Sequence, residues 1–445
     1  MTGGGLFACA GARRYGPMKA WAWLLLAVAA CMVSWTYMHR VLLPWEHYVN
    51  VERGQLKQQL GDLYPRWIGT RELLLHGRNP YSAEISHEIQ IGFYGHPVEQ
   101  SYDKPASEIV DEQRFAYPVY VVFLLAPTIH LEFAKLQAWT PVLLGTLTAL
   151  SILLWLAVLR WRPPLWIVIT IVLLALSSAQ VAQGMRLRQF GLLAAFLLAL
   201  ATWCVVRQRL FLAGIALAVT TIKPQLAALP LVWFLIWSAG DWRTRWRLGA
   251  GFALAIGVLA GAGDILVPGW VRYFLGGLEA YQKYFPLGTQ SVLRVILGNW
   301  VGGILSLLTV TALAVYSWNR RKVAAESDEF SQILGWFFVS GALVLPLLTP
   351  YNQVLLLLPL LILLRDWERL PRWEGLGFAI FLAWPFVAMA GLLLLPPQLN
   401  SIRRTPLLPS AVLPLTPLFI AWLMFTLSQR ELSWSGEKAP VLRYD

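Results

Sequence analysis

Apolar runs recur along nearly the whole chain, separated by short polar or basic interruptions. Those at 20–38, 134–159, 165–183, 190–206, 210–222, 225–237, 248–268, 299–317, 331–348, 353–364, 375–395 and 408–427 predict membrane helices, because about 20 apolar residues cross a bilayer. Several fall short of that length, which suits broken or tilted helices inside a bundle. One long polar stretch, 39–116, interrupts the series. Inside it Ile68 to Leu75 is helix-like, closed by Gly77 and the turn Arg78-Asn79-Pro80-Tyr81, with Asp62 near the helix start. Glu84 to Phe93 is amphipathic and predicts a helix lying on the membrane surface.

Basic residues punctuate this pattern at Arg160/Arg162, Arg207/Arg209, Arg243/Arg245/Arg247, Arg320/Arg321/Lys322 and Arg365/Arg369/Arg372, after every second span. Cytoplasmic loops retain Lys and Arg, so these clusters, together with Arg13, Arg14 and Lys19 before the first span, place both termini inside. The expected organisation is a cytoplasmic N-terminus at 1–19, one transmembrane unit over 20–430 and a cytoplasmic tail at 431–445. The loop 39–116 then faces outward and carries interfacial helices. About twelve spans satisfy the charges if Tyr117 to Leu131 is re-entrant or interfacial; if that run spans instead, a later one must not.

Composition agrees with the pattern and narrows its meaning. Of 445 residues, 57% are hydrophobic and 13% charged, and the mean hydropathy is +0.57, which excludes a soluble enzyme, a disordered chain and a single-anchor receptor. The net charge of +12 sits in the short clusters and reports topology rather than nucleic-acid binding. Cys9, Cys31 and Cys204 form neither a disulfide framework nor a metal-ligand spacing. Val28-Ala29-Ala30-Cys31 mimics a lipoprotein cleavage site, but apolar sequence continues through Trp35, as an uncleaved span requires.

The outward-facing connections hold the candidate chemistry. Asp62 is either the N-cap of the helix it precedes or a general base that takes a proton from an attacking hydroxyl. Arg186 and Arg188 run against the positive-inside bias and suggest an anion, such as a phosphate or diphosphate. Lys223-Pro224 breaks an apolar run; its lysine either snorkels to the interface or meets an anionic partner at membrane depth. Tyr117, before Pro118, suits an aromatic belt. The segment 269–290, with Trp270 and Tyr273, reads as an interfacial helix whose rings are also able to stack on sugars. Asn352 and Gln353 follow Pro350-Tyr351 and carry two amides into the next span. No P-loop, dinucleotide, zinc or nucleophile-elbow motif is present.

The order of these features resembles glycosyltransferase family 87, the DUF2029 group. The resemblance rests on Asp62, Gly77-x-Asn79-Pro80-Tyr81, Phe115-x-Tyr117-Pro118, Arg186-x-x-Gln189, Lys223-Pro224, the segment Pro268-x-Trp270 to Tyr273, Gln290-Ser291 and the late break Pro350 to Gln353, over about residues 20 to 365. It departs where the family's Tyr-Pro-Pro reads Tyr117-Pro118-Val119, and where some members carry His but this chain has Asn352-Gln353. The resemblance implies an all-α, GT-C-type helix bundle whose site faces outward. It would move a hexose, mannose being the best-known case, from a polyprenyl-phosphate sugar to a lipid or glycan acceptor by inverting displacement. It makes Asp62 the base and Arg186, Arg188 and Lys223 the donor-phosphate ligands, while Arg66, Asn79, Tyr81, Tyr117, Gln189, Trp270, Tyr273, Asn352 and Gln353 are expected to contact substrate. The lipid-linked sugar serves as co-substrate, with no cofactor and no metal expected, and the partners are membrane lipids rather than nucleic acid. A transporter or flippase of a polyprenyl-linked lipid, or a non-catalytic cell-envelope assembly protein, are the alternatives; neither requires Asp62.

Overall fold

The computed structural model describes residues 20–52, 59–98, 112–284, 290–347, 349–395 and 405–437. Cys9, the basic residues Arg13, Arg14 and Lys19, most of the connection 396–407 and the end of the tail lie outside the described residues. Those described are helical, without a strand. In chain order the helices are α1 (Ala20–Tyr37), α2 (Leu43–Glu52), α3 (Leu63–His76), α4 (Ala83–Tyr94), α5 (Val121–Leu125), α6 (Phe133–Val158), α7 (Leu165–Ser177), α8 (Ala179–Arg186), α9 (Phe190–Val206) and α10 (Leu210–Thr220). They continue as α11 (Pro224–Gly240), α12 (Trp242–Leu266), α13 (Trp270–Tyr284), α14 (Val292–Leu297), α15 (Asn299–Asn319), α16 (Asp328–Val344), α17 (Leu357–Arg365), α18 (Arg372–Leu394) and α19 (Thr416–Glu437).

The apolar runs of the sequence fall mainly on helix. Six helical stretches are long and apolar enough to cross a membrane: Ala20–Glu52, Phe133–Val158, Trp242–Leu266, Asn299–Asn319, Arg372–Leu394 and Leu407–Arg430. A seventh forms if α7 and α8 are one span bent by 58°. The bend falls at Ser178, whose hydroxyl accepts from the Val181 amide and so starts a new helix. Tyr117 to Leu131 contains only α5 and a 3-10 turn, Ala126–Thr128. These rise roughly 12 Å together, under half of a hydrocarbon core.

The basic clusters gather at one end of the bundle around the connection from α15 to α16. Arg365 bonds the Leu159 carbonyl at 3.2 Å and Asp328 at 2.8 Å. Gln208 donates to Glu326 at 3.0 Å, Arg320 pairs with Glu329 at 2.5 Å, and Arg245 donates to the Arg321 and Val323 carbonyls. Gln189, Lys223 and Asn352 adjoin the opposite ends of α9, α10 and α17, and Asp62 meets Gln189 there. The 17 residues of α9, at 1.5 Å each, separate the two ends by about 25 Å.

Two packing features fix the frame. Gly214 and Gly251 let α10 and α12 touch through their backbones: a Cβ on Gly214 would overlap the Leu248 carbonyl, and one on Gly251 the Phe211 carbonyl. Close approach through small residues is how helices associate in lipid, where the hydrophobic effect does not drive them together. Gly251→Val is therefore expected to cost about 1–3 kcal/mol or more through overpacking and to lower the yield of monodisperse detergent-extracted protein. Gly257→Ala on the same helix, where an added Cβ meets nothing within 4 Å, should leave yield and thermal stability at or above wild type.

The second feature corrects an expectation. The apolar face of α4, Ile85, Ile89 and Phe93, is buried against Leu60, Tyr64 and Ile68 of the α3 region. Spaced one turn apart, these side chains use up the stripe that a surface-lying helix would give to lipid. The helix on which Asp62 stands is thus braced from outside the bundle.

Candidate functional site

Asp62 is held by its backbone before its side chain acts. Gly61 has φ +71°, and a Cβ there would lie 3.0 Å from both the Leu187 carbonyl and the Arg188 Nη1. The left-handed turn brings the Asp62 amide to 2.8 Å from the same Leu187 oxygen. Although Asp62 precedes α3, its φ/ψ of −75°/−7° is helical and its carboxylate makes no cap bond. It accepts instead from Gln189 Nε2. The capping role therefore fails, and the carboxylate is turned toward the connection between α8 and α9.

That connection is a Schellman-type helix end. Arg188 N–H donates to the Met185 carbonyl at 3.1 Å and Gln189 N–H to the Gly184 carbonyl at 2.8 Å. Arg188 takes the left-handed position with φ +54°, at a cost of about 1–2 kcal/mol for a residue with a Cβ. Its guanidinium is committed to backbone: Nε to the Gln137 carbonyl at 3.1 Å and Nη1 to the Arg186 carbonyl at 2.8 Å. Arg186 makes a two-pronged ion pair with Glu46 of α2, with Nη2 to Oε1 at 3.0 Å and Nη1 to Oε2. Both arginines expected to hold phosphate thus already have protein partners. Nothing in the sequence pattern singled out Glu46.

Lys223 is placed differently. Pro224 starts α11 and Lys223 stands just before it, 4% exposed and with no side-chain cap bond; it does not snorkel. Its Nζ donates to Asn352 Oδ1 at 3.3 Å and lies 4.7 Å from the centre of the Tyr351 ring. Gly191 makes room for it, since a Cβ there would come within 3.4 Å of Nζ. The break before Pro224 frees the Thr221 carbonyl, which the buried Tyr120 hydroxyl takes at 3.0 Å. Asn352 is fixed in turn by Thr349 Oγ1 at 2.7 Å. Gln353 points away, donating to the Leu413 carbonyl at 2.8 Å.

Between Asp62 and Lys223 stand Arg66, one turn along α3, and Tyr117. The Arg66 guanidinium lies over the Tyr117 ring at 4.2 Å, and both Asp62 and Arg66 act electrostatically on Lys223 and on Tyr117. Among the described residues the Arg66 Nε, the Tyr117 hydroxyl and Gln189 Oε1 are buried without a hydrogen-bond partner. Leaving such atoms unpaired costs about 1–3 kcal/mol each, so these three groups retain hydrogen-bonding capacity beside Asp62 and Lys223.

The aromatic wall adjoins this cluster. Asn79 Oδ1 accepts from the Tyr81 amide at 3.0 Å, and Tyr81 donates its hydroxyl to the Tyr117 carbonyl at 2.6 Å. The Tyr81 ring meets Phe115 edge-on at 5.1 Å and stacks on Tyr273 at 6.1 Å. Tyr273 is exposed, whereas Trp270 is buried against Tyr120 with its Nε1 on the Ala260 carbonyl at 3.3 Å. The structure thus gathers Asp62, Arg66, Tyr117, Gln189, Lys223 and Asn352, with Asn79, Tyr81 and Tyr273 beside them. It leaves Arg186, Arg188, Gln353 and Trp270 engaged elsewhere. Among the described residues no group of three or more His, Cys, Asp or Glu is arranged to hold a metal ion.

A family model described as Glycosyltransferase family 87 matches residues 115–346. That span takes in Tyr117, Gln189 and Lys223, while Asp62 and Arg66 precede it and Asn352 follows it. No curated protein and no solved structure matches.

Proposed function

Because the chain belongs to glycosyltransferase family 87, we propose that it transfers a hexose, mannose in the first instance, from a polyprenyl-phosphate sugar to a lipid or glycan acceptor at the outer face of the cytoplasmic membrane. The supporting observation is a half-buried carboxylate, Asp62, clustered among the described residues with half-buried Arg66 and buried Lys223 at the bundle end opposite the basic clusters. In this reading about twelve helices span the membrane in a GT-C arrangement, with α5 re-entrant.

The reaction is a direct displacement. The acceptor hydroxyl oxygen attacks the anomeric carbon, its proton passes to Asp62, and the bond from that carbon to the phosphate oxygen breaks with its electron pair leaving on polyprenyl phosphate. One carboxylate suffices for inversion, whereas retaining transfer through a covalent intermediate calls on a second. Lys223 and Arg66 meet the charge growing on the leaving phosphate, where fixed donors in a dry site act most strongly. Tyr81 and Tyr273 offer the sugar an aromatic wall. Arg186 and Arg188 shape the turn that carries Gln189, so their contribution to donor binding is indirect.

The test is an assay in membranes that contain the protein, supplied with labelled polyprenyl-phosphate mannose. Label is expected in a new glycan or glycolipid with the anomeric configuration inverted relative to the donor. Transfer from a nucleotide sugar but not from the lipid donor would overturn the donor class, and a retained configuration would overturn the direct displacement.

A further inference from the structure

Among the described residues Gln189 makes one side-chain bond, to Asp62. The residue is 3% exposed, precedes α9 without capping it, and leaves Oε1 buried and unpaired. A carboxylate only accepts, so the amide nitrogen must be the atom facing Asp62. Among the described residues the side-chain amide of Gln189 bonds nothing except the proposed base.

We propose that Gln189 is the positioning residue of the site: its N–H engages Asp62 Oδ2 and leaves Oδ1 as the oxygen that receives the acceptor proton. The inference rests on the transfer reaction proposed above. Backbone geometry supports it from both sides. The turn that presents Gln189 is closed by the Gly184 carbonyl, and the Asp62 amide is bonded to Leu187 of the same turn. Base and positioning residue therefore belong to one rigid unit, and a carboxyl rotation that exchanged Oδ1 and Oδ2 would break the Gln189 bond. Among the described residues the other polar and charged groups around Asp62 are Arg66 on α3, Lys223 at the α10/α11 break, Tyr117 before α5, and Arg188 in the turn itself.

Two variants of nearly the same size separate positioning from packing. Gln189→Met fills the space and cannot donate; it is expected to lower kcat by about 10- to 100-fold at every pH, with the donor KM within twofold of wild type. Gln189→Glu places two carboxyls side by side, which share one proton over an extended pH range. While that proton is shared, the introduced carboxylic acid donates to Asp62 as the amide does; when it leaves, two like charges face each other. Gln189→Glu should therefore approach wild-type kcat at the acid end of the profile and fall steeply as pH rises, an alkaline limb absent from both wild type and Gln189→Met. The measurement is transfer from labelled polyprenyl-phosphate mannose across pH 5 to 9, with each variant's detergent-extracted yield as the folding control. Parallel profiles for wild type, Gln189→Met and Gln189→Glu would overturn the positioning role while the transfer reading stands. No transfer by wild type at any pH would overturn the reading and the positioning role with it.

Discussion

Asp62→Asn is expected to lower sugar transfer by at least about a hundredfold, within the 10²- to 10⁴-fold range that a positioned general base contributes, with membrane insertion and extracted yield unchanged. The substitution is nearly isosteric and its carbonyl still accepts from Gln189, so the bond that orients the side chain survives. The backbone anchor, Asp62 N–H to the Leu187 carbonyl at 2.8 Å, does not involve the side chain. What is lost is the capacity to take a proton. Asp62→Glu is expected to fail almost as badly: Gly61 pins the backbone against Leu187 and Arg188, and a chain longer by one methylene would carry the carboxylate past Gln189. Labelled-donor assays on the two variants check both statements; transfer by Asp62→Asn within threefold of wild type would remove Asp62 from the chemistry.

The second large effect is expected at Lys223. Lys223→Met keeps the length of the side chain and removes its charge, and should raise the donor KM by roughly 10- to 100-fold, the equivalent of a charge-assisted hydrogen bond of about 1.5–3 kcal/mol. Lys223→Arg is not expected to rescue it. The ammonium sits against Asn352, the Tyr351 ring and the open space above Gly191, a place sized for a point charge rather than a planar fork. Donor saturation curves in membranes decide the matter, and an unchanged donor KM in Lys223→Met would mean that the phosphate is held elsewhere.

Much of the architecture was legible because hydrophobic mass dominates it. The apolar runs became helix, Gly77 closed α3 with φ +64°, and Lys223-Pro224 marked a real break. Amphipathicity, by contrast, does not name its partner: Ile85, Ile89 and Phe93 predict an apolar stripe, but only coordinates distinguish protein from lipid as what covers it. Asp62 was legible as a residue of interest, and excluding the cap needed its side-chain direction. The partners of Arg186 and Arg188 were hidden for a similar reason. Sequence shows two cations out of place; it does not show a carboxylate 140 residues away at Glu46, or backbone carbonyls at Gln137 and Arg186 itself. Arg188 adds a further difficulty, since the left-handed closing position of a helix end is normally glycine's.

The Glu46 pair also bears on how the chain is built into the membrane. In the orientation proposed above, α2 has already crossed to the outer side when α8 emerges from the ribosome, so Arg186 arrives beside a resident counter-ion. The cation that runs against the positive-inside bias is thereby delivered as half of a neutral unit, and it need not oppose the inner clusters that set topology. A chain lacking its first 52 residues would insert Arg186 without Glu46, so in this orientation α2 supplies the counter-charge for a segment made long after it.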